Sequence, residues 1–324
     1  MSAPVVTIIL ASGDDETLAS MLIEGSPAVS STPTVSFPTV CGRGAQSAAS
    51  AAAPEWYVGE EALMHGRRTV RPMRGGHVSD WDAMERVWRH ALRNELCVDS
   101  SSTPRILLVE PPLTPPVSRE RAVSLLVDTF KASHFCAIPS PVACIVATGK
   151  TSGVVIEVGS FMTFVTSVVN GQVVFAHKIS GVGGSGADSD GDGDGDAGGN
   201  EKSAASLHEL VHASIVACTA ADMQAELCKN IVFSGSNSMI PGLGDRLAKE
   251  LRLLLLASDM QQEVNVIQQI NMNMARHLAW NGGQTLVSLA SLNAFEEMWV
   301  SAAQFAQRGP SAAHAKRYEA LFFR

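Results

Sequence analysis

Hydrophobic and polar positions alternate in two different periods along this chain. Residues 5–10 form a β-branched apolar run that breaks at Ala11-Ser12-Gly13-Asp14, so the pattern predicts a strand entering a turn. Residues 17–23 and 34–40 read as further strands, separated by a Ser/Pro-rich connector. Asp80 is placed to cap a helix over 81–96, in which Met84, Val87, Trp88, Ala91 and Leu92 recur at helical spacing. A short buried-type strand follows at 105–109, and 118–131 repeats the helical period with Val123, Leu126, Val127 and Phe130 on one side. The segment 142–147 is apolar and runs into the Gly149-Lys150-Thr151 turn. Strands at 154–157, 162–169 and 173–177, with Asn170-Gly171 as a tight turn, predict a three-strand meander. Beyond residue 203 the pattern gives helices at 204–219, 222–227, 242–259 and 293–301, with a strand at 230–234 and an apolar segment at 286–291. Alternation of strands and helices predicts a mixed α/β architecture.

Composition changes this picture at one place. Residues 181–200 are almost wholly Gly, Asp, Ser and Ala, too poor in apolar surface to offset the entropy of ordering, and are expected to be a flexible linker. An Ala-rich stretch between Gly42 and Pro54 is expected to be an exposed loop. The formal charge is −8, but residues 181–202 carry five Asp, Glu201 and Lys202, which leaves only −3 for the rest. With no basic face, direct binding to nucleic acid is not expected. No apolar run approaches a membrane span, and the N-terminal segment does not read as a secretory leader. The expectation is a soluble, cytoplasmic protein with the nucleus as the alternative compartment.

Candidate chemistry is sparse. The six cysteines have no CxxC pairing or His-flanked spacing and read as reduced, buried thiols. Asp190 to Glu201 satisfies a calcium-loop pattern, yet no amphipathic helix precedes it, and a Gly–Asp repeat matches by composition. Gly149-Lys150-Thr151 lacks the leading glycine of a phosphate loop. His208 and His212 share a helix face without a third ligand, and Met272 and Met274 read as core filler. No metal site and no catalytic residue is expected.

Longer segments carry more information. Trp56-Tyr-Val-Gly-Glu-Glu-Ala62, the run from His77 to His90 continuing to Asn94-Glu-Leu96, and Leu107-Leu-Val-Glu-Pro-Pro-Leu113 with Arg119-Glu120 come in order. They are followed by the runs from Ala147 to Ile156 and from Leu207 to Cys218. Asn230 to Gly242 with Asp245-Arg246 comes next, then Ala279-Trp-Asn-Gly-Gly283, Ser288 to Leu292, Glu297-Met-Trp-Val-Ser301 and Gly309-Pro-Ser311. In this order and spacing they resemble the actin and actin-related family across the whole chain.

The resemblance implies an actin-like α/β fold with a duplicated core, one outer subdomain deleted and the other reduced. It places the first lobe at 1–141, the start of the second at 142–180, the linker replacing an outer subdomain at 181–203, and the rest of the second lobe at 204–324. The segment from about 284 would return to the first lobe. It also implies a nucleotide site, here degenerate, at Gly13, Asp14, Glu157, Gly159, Ser160, Gly235, Ser236 and Met239. Glu157 is the weak candidate for a metal-side carboxylate, and ATP or ADP with magnesium is the cofactor implied. Phe161 replaces a family glycine, where its side chain would obstruct phosphates, and Ser140 stands where the family has a catalytic-side glutamine. Gly282-Gly283 is expected to serve close packing and a turn into the last helical region. Deletion of one outer lobe and reduction of the other imply a non-polymerising structural subunit with protein partners, in a filament-end or dynactin-like complex or a chromatin-remodelling complex. The alternative is a divergent ATP-binding protein with weak ATPase activity.

Overall fold

The structure, a computed structural model, describes residues 5–23, 32–44, 56–66, 68–180, 206–290, 296–315 and 317–322. The Gly/Asp tract at 181–203 and the Ala-rich loop at 45–54 lie outside the described residues, as does the calcium-loop pattern.

Two sheets carry the chain, and they repeat one pattern. In the first, Val6–Ser12 pairs antiparallel with Glu16–Ile23, which pairs with Val35–Pro38. On its other side Val6–Ser12 runs parallel to Arg105–Glu110, itself parallel to His134–Pro139. In the second, Gly153–Val158 pairs antiparallel with Met162–Val169, which pairs with Gln172–Ser180. Gly153–Val158 also runs parallel to Ile231–Ser234, itself parallel to Val266–Ile267. Each half is therefore a three-strand meander followed by parallel strands reached through helices.

The period-2 alternation of each central strand assigns its two faces. Ile8, Leu10, Ile106 and Leu108 pack outward against the helix Trp81–Arg89, and Ile9, Leu107 and Val109 face inward. In the second sheet Val154, Ile156 and Val158 meet Leu210, Val211, Leu251 and Leu255 on the outer side, and Val155 faces inward. Between the inner faces lie two helices, Ser140–Ala147 and Leu278–Leu289. These positions are almost wholly buried, and each such side chain contributes about 1.5–3 kcal/mol through burial.

The contact between those two helices is a backbone contact. A Cβ added at Gly282 would lie 1.8 Å from the carbonyl oxygen of Ala143. Gly282-Gly283 therefore serves close packing as expected, but inside a helix and not at a turn. That helix escapes the sequence pattern because paired glycines weaken a helix intrinsically by about 1 kcal/mol each, a cost that tertiary packing overrides here.

Other elements differ in detail from the pattern. Asp80 does cap the helix Trp81–Arg89, accepting from the Ala83 amide at 2.9 Å. That helix and Pro116–Ser124 both end in wide turns, His90–Glu95 and Leu125–Thr129, closed by Cys97 and Lys131 at positive φ. The helix expected at 293–301 does not form among its described residues. Glu296–Met298 is a single tight turn, and Val300–Ser301 instead adds an edge strand against His134–Phe135. Burial of Val300 against Phe135 and Phe305 decides that outcome over helix propensity. Met272 and Met274 are exposed, not core filler, because Ala275 is the residue that their short helix turns inward.

Gly282→Ala is expected to destabilise the protein by about 3 kcal/mol or to prevent folding, because backbone must shift to admit the methyl. Gly149→Ala, at positive φ but in open space, is expected to cost about 1 kcal/mol. Thermal unfolding of the two variants checks the ranking.

Candidate functional site

Equivalent hairpins of the two halves meet in a crevice. The turn after Val6–Ser12 and the turn after Gly153–Val158 both line one cavity of about 220 Å³. Its walls also include the ends of the parallel strands at Val109-Glu110 and Gly235, the first residue of the helix Ser140–Ala147, and Arg276, Ala279 and Trp280. This is where an open α/β sheet places ligands, at the carboxyl ends of its strands.

The hairpin tips are engaged with themselves and with each other. The Gly13 amide donates to Glu16 O at 2.9 Å, and the Gly159 amide donates to Met162 O at 3.0 Å, so both close their own turns. Ser160 Oγ donates to Asp15 Oδ2, which ties one tip to the other. Arg276 Nη2 binds Glu16 Oε2 at 2.7 Å and makes a second tie across the crevice. This pair is partly exposed and contributes about 0.2–1 kcal/mol. Asp14 points away from the tips. Its carboxylate accepts from the amides of Gly75 and Gly76 at 2.6 and 2.9 Å, in the turn of a two-strand ribbon whose glycines both have positive φ. Burial raises the Asp14 pKa, and those two amides oppose the shift.

Glu157 sits near the end of its strand with Oε2 buried and without a hydrogen-bond partner. Burial pushes its pKa from the ordinary 4.5 up to about 7. The nearby Ser140 hydroxyl acts in the opposite direction, although Ser140 Oγ makes no hydrogen bond of ordinary geometry. Glu110, also in the wall, is buried, but Arg119 meets it with a bidentate ion pair.

A family model for actin matches residues 28–190 and 185–318, nearly the whole chain. The chain belongs to the actin family. The two-sheet α/β architecture is consistent with an actin-like fold. The match takes in the second hairpin and Gly235 and begins after the first hairpin.

The actin family implies an adenine nucleotide with magnesium in this crevice, and the residues present do not fit that complex. The hairpin glycine amides are spent inside their own turns. The Asp14 carboxylate is held by protein amides. Arg276 is the one cation among the described wall residues, and it is already paired.

Of the residues expected from the sequence, Gly13, Asp14, Glu157, Gly159, Ser160, Gly235 and Ser236 all line the cavity, whereas Met239 does not. Gly235 has φ 94°, and a Cβ there would lie 2.5 Å from Val158 O, so the backbone itself requires glycine. Phe161 does not obstruct the site; its side chain is 39% exposed outside the wall, and Met162 and Phe164 project inward instead. The strand alternation after the turn decides this. Sequence reasoning missed Glu16, which lies in the first hairpin itself, and Arg276 and Trp280, which no motif joins to the hairpins. His208 and His212 bind Ser206 and Ser258 respectively, consistent with their reading as ordinary histidines. Among the cysteines, Cys97 is exposed, while burial pushes Cys41 and Cys228 up to about 11 and Cys136 up to about 12.

The raised Glu157 pKa makes a pH prediction. The folded protein holds this proton between about pH 4.5 and 7 while the unfolded chain releases it, so this group's contribution is present at low pH and lost as pH rises through 7. Glu157→Gln is therefore expected to leave the melting temperature near that of the parent at pH 5 and raise it at pH 8, by up to about 3 kcal/mol in stability. Melting curves at the two pH values check it.

Proposed function

We propose that this chain is a non-polymerising structural subunit of a multiprotein assembly, an actin-related protein that does not hydrolyse ATP. The crevice carries this reading. Tips that would have to open toward phosphates are closed on their own carbonyls and tied to each other, and the wall is dominated by carboxylates. A polyphosphate would meet Asp15 and Glu16, with the one arginine already paired to Glu16, a repulsive arrangement in a low-dielectric cleft.

The scaffold that remains suits a rigid module. The central helix pair and both outer faces are packed, so the two halves are joined by apolar contact without a ligand. Residues 181–203 are proposed to stand in place of an outer subdomain, which would remove one of the two ends that a filament subunit repeats through. The partners proposed are proteins of a filament-end or dynactin-like complex in the cytoplasm, with a chromatin-remodelling complex in the nucleus as the alternative. Direct nucleic-acid contact is not proposed, given the −8 charge. No helix among the described residues is long and apolar enough to cross a membrane.

The purified protein is expected to release no phosphate from ATP above a buffer blank, with or without magnesium. Native affinity purification of the tagged chain, read by mass spectrometry, is expected to recover a defined set of stoichiometric subunits. Steady phosphate release that disappears in Glu157→Gln would support the weak-ATPase alternative and overturn the proposal.

A further inference from the structure

Besides the two large sheets the chain forms a small one, in which Trp56–Val58 and Arg68–Val70 flank Cys41–Arg43. Residues directly opposite in such a ladder point to the same face, and so do residues two apart along a strand. The row Val58, Cys41, Val70 packs into the first core cluster with Val87 and Trp88. The next row on that face is Trp56, Arg43, Arg68, and there both arginines are exposed. The Arg43 guanidinium lies 5.2 Å from the centre of the Trp56 ring, and that of the exposed Arg86, from the helix Trp81–Arg89, lies 4.3 Å from it. Among the described residues none of these three arginines has an acid within ion-pair distance. Asp80 spends its carboxylate on the Ala83 amide, and Glu85 is paired with Arg89. Like charges directly opposite each other destabilise a sheet, so the Arg43–Arg68 pair gains when an anion sits between them. The positive charge is also concentrated here against the trend of the chain: residues 62–79 hold four arginines and no acid, where the whole chain carries −8.

We propose that this row docks an acidic segment of a protein partner, an extended stretch with two or more Asp or Glu carboxylates. Charge complementarity carries the choice of occupant. Each guanidinium presents a planar fork of donors that matches a carboxylate, and clusters of arginines are a recurring means of recognising acidic motifs. Three strands span roughly 10 Å, and carboxylates two residues apart on an extended peptide lie ~7 Å apart on one side of it, so one segment reaches more than one arginine. The Trp56 ring holds Arg43 and Arg86 by cation–π contact, which lowers the entropy lost when they bind. A nucleic acid is disfavoured, because a row of three arginines in a chain of −8 is too short to follow a phosphate backbone. The inference deepens the structural-subunit reading and rests on it, by giving the chemistry of one partner segment.

The test titrates the full chain into a fluorescein-labelled octaglutamate peptide and reads fluorescence anisotropy, with labelled octaglutamine and oligouridylate as comparison probes. The expected result is saturable binding of octaglutamate that weakens about tenfold or more on raising sodium chloride from about 50 to 300 mM. Octaglutamine is expected not to bind, and oligouridylate to bind more weakly than octaglutamate. Changing Arg43→Gln and Arg68→Gln together is expected to weaken octaglutamate binding about tenfold or more. Lys249→Gln, which removes an exposed cation from the helix Leu243–Ala257, is expected to leave it unchanged. Arg68→Gln alone removes the like-charge pair and is expected to melt no lower than the parent, which separates lost binding from lost fold. A further variant changes Asp188, Asp190, Asp192, Asp194 and Asp196 to Asn. Octaglutamate binding that appears only in this variant assigns the arginines to the chain's own acidic tract and overturns the inference. No saturable binding in either form, undiminished affinity in the double arginine variant, or tighter binding of oligouridylate overturns it as well. Each of these leaves the structural-subunit reading, which phosphate release tests separately, standing.

Discussion

One backbone contact sets the geometry of this molecule. Gly282 lies against the carbonyl of Ala143 so closely that no side chain fits between them. That approach brings Leu278–Leu289 and Ser140–Ala147 together as a single layer, and the inner faces of the two sheets close on it from either side. Close packing of this kind tolerates little change in volume, so the relative placement of the two halves is fixed by the helix pair. The crevice follows from that placement. Its lining combines the starts of both helices with the two equivalent hairpins.

In the crevice polar side chains make direct contact between the halves. Ser160 bonds Asp15 and Arg276 bonds Glu16 across it, while Asp14 bonds the Gly75-Gly76 turn within the first half. These polar ties are individually modest, and the apolar layer beneath them supplies most of the cohesion. Together with that layer, the ties join the two halves of an actin-family core through protein atoms. Glu157 is the exception, a buried carboxylate whose Oε2 has no hydrogen-bond partner.

The fold was largely legible in the sequence because its strands alternate cleanly. Ile8-Ile9-Leu10 and Val154-Val155-Ile156 each send side chains to opposite sheet faces, which residue type alone announces. Leu278–Leu289 was hidden because its glycines are selected by a tertiary contact that local propensity cannot register. Val300–Ser301 was misread for the same reason, since an edge strand is decided by its neighbour. At the site, the glycines and Glu157 were found through their motifs. Arg276 and Glu16 were not, because 260 positions separate them along the chain and only the fold makes them a pair. The outward turn of Phe161 follows from the alternation that sends Met162 and Phe164 into the cavity, a register that only the fold fixes.

The central claim is that the two halves stay together without nucleotide. Scanning calorimetry of the full chain after enzymatic removal of all nucleotide tests it most directly. The account predicts one cooperative transition, at the same temperature before and after stripping and unmoved by adding back Mg-ATP. Separate transitions for the two halves, or a folded state recovered only when Mg-ATP is returned, would contradict it.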